Sequence, residues 1–219
     1  MAQNPNGLGM TSQRTRVRMI DRLREQGIRN EQVLAAMAAV PRHLFVEEAL
    51  ASRAYDDTAL PLGFSQTISQ PYVVARMIEL LCEGRDGLGK TLEIGAGCGY
   101  QAAVLAQLTK EVYAVERIEP LLARAKLSLR AIQQFRVRLK HADGQLGLPE
   151  AAPFDTIIVA AAATSVPAPL LQQIAVGGRM LLPLGISDQF LVLIERREEG
   201  YSETRLDGVR FVPLLSGVE

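Results

Sequence analysis

Three glycines fall within five positions of the stretch TLEIGAGCGYQAAVLA, residues 91–106: Gly95, Gly97 and Gly99, with Ala96 between the first two. They separate an apolar run from an alanine-rich helical pattern, where a strand would turn into a helix. A backbone this bare lets a ligand approach closely, and glycine accepts the positive φ that a tight turn can demand. The spacing is G-x-G-x-G. The dinucleotide fingerprint places a glycine or alanine one position later, against a pyrophosphate, and here Tyr100 holds that position. No Gly-Lys-Ser/Thr follows, which excludes a phosphate-cradling P-loop.

Two carboxylates narrow the ligand further. Glu116 ends the next apolar segment, about 20 residues after Gly95, where an acid can accept both hydroxyls of a ribose. Glu93 sits inside the apolar run itself, and a buried carboxylate is costly unless a cation or a hydrogen-bond donor meets it. A ligand with a ribose, no pyrophosphate and a cationic end describes S-adenosylmethionine, which these residues favour over a nicotinamide dinucleotide. Asp143, in HADG, can accept from an adenine amino group or serve only its own turn; both readings stay open. Cys98, within the glycine turn, reads as a small residue beside the cofactor rather than as a reactive thiol at a helix start.

The elements that must position these groups follow from the pattern. A helix starts near Thr11 or Ser12 and carries Val17, Ile20 and Leu23, with Gly27 at its C-terminal cap. Arg14, Arg16 and Arg18 read as its solvated start. Asn30 caps a second helix, EQVLAAMAAV, which Pro41 ends. Residues 55–70 show no helical period and read as extended chain or ordered loop, after which Pro71 opens a helix to about Leu81. Strand and helix then alternate: TLEIG, EVYAVE, VRLKHA and FDTIIVAAAA as strands, with QAAVLAQL and LLARAKLSLRAIQQF as helices between them. A short helix follows over residues 167–175, a turn at Gly177 and Gly178, and a fifth strand, RMLLPLG. QFLVLIERR and VRFVPLL are expected as two antiparallel strands joined around Glu198, Glu199 and Gly200. The fold class is α/β: a doubly wound, mostly parallel seven-stranded sheet of the Rossmann-like type found in S-adenosylmethionine-dependent methyltransferases, preceded by N-terminal helices. Residues 1–12 read as a disordered arm. Residues 13–219 read as one domain, whose N-terminal helical segment is 13–83.

Composition excludes several alternatives. Twenty-four basic and 24 acidic side chains cancel, so no global charge draws the chain to nucleic acid or to acidic lipid. No apolar run is long enough to span a membrane, and the N-terminus lacks the apolar block of a secretory signal. Two cysteines, Cys82 and Cys98, and two histidines, His43 and His141, form no metal-ligand pattern. The expectation is a reduced, cytoplasmic, metal-free protein. A nicotinamide-dependent oxidoreductase, a non-catalytic cofactor-binding module and a methyltransferase for RNA or a small molecule remain as rivals.

From about Val17 to the C-terminus the chain resembles the protein-L-isoaspartate (D-aspartate) O-methyltransferases. The matching segments, in order, are VLAAMAAVPRHLFV, ALPLG, QTISQPYVVARM, LEIGAGCGYQAA, VYAVERI, FDTIIVAAAA, GGRMLLPLG and VRFVPL. The glycine turn is shared by many methyltransferases, whereas QTISQP is specific to this family. The resemblance implies methyl transfer to the free carboxylate of isoaspartyl residues in damaged proteins, initiating their repair, by a monomer. It implies that Ser69 is the active-site residue and that residues 67–69 close over the cofactor and help seat the acceptor carboxylate. Thr67, Ser69, Glu93, Gly95, Ala96, Gly97, Gly99, Glu116, Arg117, Asp143 and Gly144 are the implied cofactor contacts, and Ser69, Gln70, Val212 and Pro213 the implied peptide contacts. Ser69 can also be read as the N-cap of the helix that Pro71 opens. The chain departs from the family pattern at GFSQT, where many members have a histidine and a glycine, at Cys98, where serine is common, and at HADG in place of GDG.

Overall fold

The computed structural model describes residue 7 and residues 9–219. Of the expected arm, residues 9–11 form a single 3-10 turn, and residues 1–6 and 8 lie outside the described residues. Helix α1 (Gln13–Glu25) buries Met19, Ile20 and Leu23, whereas Val17 faces solvent, so the apolar stripe is rotated from the expected one. Arg14 and Arg18 are exposed, and Arg16 is tied to the Tyr55 hydroxyl and the Ala38 carbonyl. Gly27, at φ +105°, ends the helix. The Ile28 N–H returns to the Leu23 carbonyl and the Gly27 N–H to that of Arg24, a Schellman closure. Helix α2 (Glu31–Ala39) begins at Asn30, whose side chain accepts from the N–H groups of Gln32 and Val33.

Residues 60–68 form a hairpin, β1 (Leu60–Gly63) and β2 (Gln66–Ile68), where the sequence suggests only extended chain or loop. Its tip is a two-residue turn with both central residues at positive φ, Phe64 at 52° and Ser65 at 55°. Such a turn matches strand twist but favours Asn-Gly, because side chains with a Cβ resist this region. Replacing Phe64 with Asn and Ser65 with Gly is therefore expected to stabilise the protein by about 1 kcal/mol, a rise of roughly 2–4 °C in Tm. A thermal melt showing no rise would mean that the tip is unstrained.

Helix α3 (Pro71–Cys82) leads to β3 (Thr91–Ile94), and the alternation continues with α4 (Tyr100–Leu108), β4 (Val112–Glu116), α5 (Glu119–Ala131), β5 (Val137–His141), β6 (Phe154–Val159), α6 (Ala168–Gln172) and β7 (Ile174–Leu184). Two antiparallel strands, β8 (Gln189–Arg197) and β9 (Gly200–Val209), complete a seven-stranded sheet of order β5-β4-β3-β6-β7-β8-β9. The five strands from β5 to β7 in that order are mutually parallel. Strand parity divides the sheet between two cores. Ile158 and Leu181 face the core that includes α1 to α4, while Leu92, Ile157, Val159, Met180 and Leu182 face the other. From β3 the chain winds outward to β5 and then returns to β6 on the far side of β3, so the crevice for a ligand opens between the ends of β3 and β6.

Two expectations are corrected. Gly177 and Gly178 do not end an element; they lie inside β7, where Phe154 pairs with Ile174 but Thr156 pairs with Arg179, so the extra residues bulge. A Cβ on Gly178 would lie 2.8 Å from the Ala175 carbonyl oxygen and 3.0 Å from that of Asp155, which explains the missing side chain. The last strand is the polar stretch at residues 200–209, not VRFVPLL. As a mostly exposed edge strand it needs no apolar alternation. VRFVPLL instead crosses the ends of the parallel strands, where Ala162 exchanges hydrogen bonds with Val212 and Leu214 at 2.7 Å each. Among the described residues no helix is long and apolar enough to cross a membrane.

Candidate active site

The crevice holds a cavity open to solvent, about 830 Å³ with its open mouth included. Its floor is the turn from β3 into α4. The N–H groups of Gly95 and Ala96 both donate to the Val115 carbonyl, at 2.9 and 3.0 Å, which lashes the turn to β4. Gly95, Gly97 and Gly99 have φ of +83°, +53° and +85°, so all three occupy the left-handed region that L side chains avoid. All but Gly99 line the cavity, as does Ala96; Gly99 instead lies against α5, where a Cβ would come 3.2 Å from that of Ala125.

Glu116, 5% exposed at the end of β4, accepts from the Gly97 N–H with Oε2 at 2.8 Å and from the Ile118 N–H with Oε1 at 2.9 Å. One backbone donor per oxygen fixes the carboxylate and leaves each oxygen a further acceptor position in the cavity it lines. Glu93 is 1% exposed. Its position in β3 turns it toward α4, and Gln101 Nε2 donates to its Oε1 at 3.0 Å. Its Oε2 is buried with no hydrogen-bond partner among the described residues. Burial raises the Glu93 carboxyl well above the ordinary carboxylate range; the Gln101 bond opposes the shift and the nearby Glu116 charge adds to it. An unsatisfied carboxyl oxygen in a cavity wall is the position a cationic ligand group would relieve.

The acceptor side comes from the hairpin. Thr67 and Ser69, at the end of β2, line the cavity and also a smaller groove of about 370 Å³, shared with Gln70 and Val212. Val212 lines both spaces, and Pro213 lines the cavity. Helix α3 takes Gln70, not Ser69, as its N-cap, with no side-chain cap bond, so capping does not account for Ser69.

Arg117 and Asp143 both bond within the chain. Asp143 accepts from the N–H groups of Gln145 and Gly217, at 2.8 and 2.6 Å, and is absent from the cavity wall, which Gly144 reaches instead. Its observed role is to hold its own turn and the C-terminal segment. Arg117 borders the cavity, but its guanidinium binds the Gly217 carbonyl and the Glu219 carboxylate. Burial pushes the Cys98 thiol up to about 11, so it stays neutral and the reactive-thiol reading falls away. Neither histidine lines the cavity: His43 meets the Tyr55 hydroxyl and His141 the Arg117 carbonyl. Gln101 does not stand out in the sequence, though a polar residue in an apolar helix facing a buried acid is a signal that could have found it. Ile118, Ala160 and Leu214 also line the cavity, and nothing distinguishes them in the sequence from other apolar residues.

A seven-stranded sheet, parallel but for β8 and β9, whose switch point opens onto a glycine turn, is the Rossmann-like fold of S-adenosylmethionine-dependent methyltransferases. Within that class the chain belongs to the family described as protein-L-isoaspartate(D-aspartate) O-methyltransferase, whose model matches residues 14–219. It is 74% identical over 214 residues to a protein-L-isoaspartate O-methyltransferase of Dechloromonas aromatica, covering 98% of this chain and 99% of that one. It is 62% identical over 219 residues, the full length of both chains, to the protein of the same name from Aromatoleum aromaticum. A solved protein-L-isoaspartate O-methyltransferase superposes with a TM-score of 0.83 at 27% identity, over 93% of this chain and 67% of that one. A Plasmodium falciparum structure assigned to the same enzymes, in complex with S-adenosyl-L-homocysteine, shares the fold at a TM-score of 0.77 and 24% identity, over 91% and 98% of the two chains.

Proposed function

We propose that the chain transfers a methyl group from S-adenosylmethionine to the free carboxylate of L-isoaspartyl and D-aspartyl residues in altered proteins and peptides, initiating their repair. The observation that carries this reading is the meeting of two spaces along Thr67, Ser69 and Val212: a cavity over the glycine turn, and a smaller pocket beside Gln70. Two substrates can then be held on either side of that shared wall. Family membership and the names of the relatives support the acceptor assignment.

The residues present fit the cofactor. In this reading Glu116 would accept the ribose hydroxyls, Glu93 Oε2 would meet the ammonium end, and Ile118, Gly144 and Leu214 would wall a flat base; the free acceptor positions of the two carboxylates and the cavity lining support it. When bound, the cofactor supplies an electrophilic methyl group on a sulfonium. The acceptor carboxylate ionises near pH 3 to 4, so at neutral pH it is already the nucleophile and needs no general base. That suits a cavity wall without a histidine. Charge cancels as such a pair reacts, so excluding water and aligning the partners supply the catalysis, with positioning able to contribute roughly 7–11 kcal/mol. The hairpin bearing Thr67 and Ser69 walls one side of the cavity, and the Ser69 hydroxyl orients the carboxylate by a hydrogen bond. Ser69→Ala removes one bond to a charged group, about 1.5–3 kcal/mol, so turnover should fall roughly 10- to 100-fold with cofactor affinity within about twofold. Unchanged turnover would remove Ser69 from the chemistry.

The test of the acceptor is methyl ester formation on paired peptides that differ only in an aspartyl or isoaspartyl linkage. Label confined to the isoaspartyl member is expected; equal labelling would refute the assignment. Balanced charge and family membership support isoaspartyl proteins rather than nucleic acid as partners, and the proposal extends to a cytoplasmic monomer away from membranes.

A further inference from the structure

Arg42 follows α2 and the Val40-Pro41 break, in the 3-10 turn Arg42–Phe45, and is wholly buried. Its guanidinium reaches three separate parts of the chain. Nε donates to the Ala54 carbonyl at 2.8 Å, and Nη2 donates to the Ser69 carbonyl at 2.7 Å. The carbon at its centre lies 4.7 Å from the centroid of the Tyr100 ring. Tyr100 is the first residue of α4, directly after the glycine turn, and both Tyr100 and Ser69 line the cavity. A single side chain thus joins the acceptor hairpin to the cofactor turn from behind.

The charge is not neutralised locally. Among the described residues no ion pair with Arg42 is formed, and the acid whose charge reaches it, Asp57, already accepts from the Tyr72 N–H. Nη1 has no hydrogen-bond partner among the described residues. A buried cation with no counter-ion carries a desolvation cost, which makes it a poor device for stability alone. Lysine could not supply the same contacts either, since only the planar fork binds two carbonyls while stacking on a ring. The side chain makes sense if its purpose is to hold the Ser69 backbone in one place next to an anion-binding position.

We propose that Arg42 is a positioning residue for the acceptor: it fixes Ser69 from behind the cavity wall, and its uncompensated charge favours the anionic carboxylate that Ser69 aligns. This rests on the acceptor reading above. The acceptor side should carry the larger effect, because Arg42 bonds the Ser69 backbone directly and meets the cofactor turn only through the Tyr100 ring.

The test is Arg42→Lys, which keeps a cation and loses the fork, measured alone and combined with Ser69→Ala. Arg42→Lys should raise KM for an isoaspartyl peptide about tenfold, with the Kd for S-adenosylhomocysteine within twofold. In the Ser69→Ala background the same change should alter KM less than twofold, because the group it positions is gone. Arg42→Met, which also removes the charge, should exceed Arg42→Lys in its effect on KM. Should Arg42→Met fail to fold, the Lys variant and its combination with Ser69→Ala still decide the matter. An unchanged KM in Arg42→Lys overturns the proposal. Equal weakening of cofactor and peptide, or effects that multiply independently of Ser69, overturn it as well, because they describe a merely structural arginine. If the unaltered protein methylates no isoaspartyl peptide, the acceptor reading itself falls and takes this inference with it; an active wild type with an indifferent Arg42→Lys defeats the inference alone.

Discussion

Glu93→Gln is expected to weaken cofactor binding by about tenfold or more while making the ligand-free protein less sensitive to rising pH. The substitution preserves shape and an acceptor for Gln101 but removes the charge that a cationic ligand group would meet, and charged hydrogen bonds exceed neutral ones by roughly 1–1.5 kcal/mol. The pH effect follows from the direction of the shift. Burial raises the Glu93 carboxyl well above its unfolded value, so between those two values the folded state holds a proton that the unfolded state has released. The wild type therefore loses stability as pH rises through that window, and a residue that does not titrate loses none. Cofactor affinity should show the opposite trend. A cation at Oε2 favours the ionised form, so wild-type binding should tighten as pH rises across the same window, while Glu93→Gln stays flat. Calorimetric titration with S-adenosylhomocysteine, which keeps the ammonium group, together with thermal melts at pH 6 and pH 8 checks both. Equal affinity in the two proteins would mean that the buried carboxyl does not face the ligand.

Glu116→Ala should have the largest combined effect. It removes the proposed ribose acceptor and strands the buried N–H groups of Gly97 and Ile118, each at about 1–3 kcal/mol. The melting temperature should fall by roughly 5 °C or more, and cofactor affinity by at least about 100-fold, since the glycine turn loses the anchor that shapes it. A loss of stability with affinity intact would reduce Glu116 to a brace for the turn.

How much of the molecule is legible in the sequence depends on what each residue must satisfy. The glycine turn and its two glutamates can be read because they break local rules: glycines crowded into one turn and a carboxylate in an apolar strand both cost stability unless a ligand needs them there. The central strands β3 and β6 can be read because burial on both faces demands largely apolar runs. The hairpin at residues 60–68 cannot, since its tip uses Phe64 and Ser65 where turn chemistry asks for Asn-Gly. Strand β9 is hidden because an exposed edge carries no alternation, and VRFVPLL mimics a strand because a segment lining a cavity is as apolar as one. Asp143 illustrates the limit for single polar residues: the same aspartate satisfies a turn or a ligand, and only placement separates the two. Arg42 is not legible, because nothing in PRHLFV signals a guanidinium held among carbonyls 12 and 27 residues away.

The central claim is that the bend at Gly95 and Gly97 receives a sulfonium nucleoside beside an anionic acceptor. A crystal structure with S-adenosylmethionine tests it most directly. The ribose should lie against Glu116 and the ammonium against Glu93 Oε2, with the methyl group directed toward Ser69. Density for the nucleoside elsewhere, with the glycine bend empty, would contradict it.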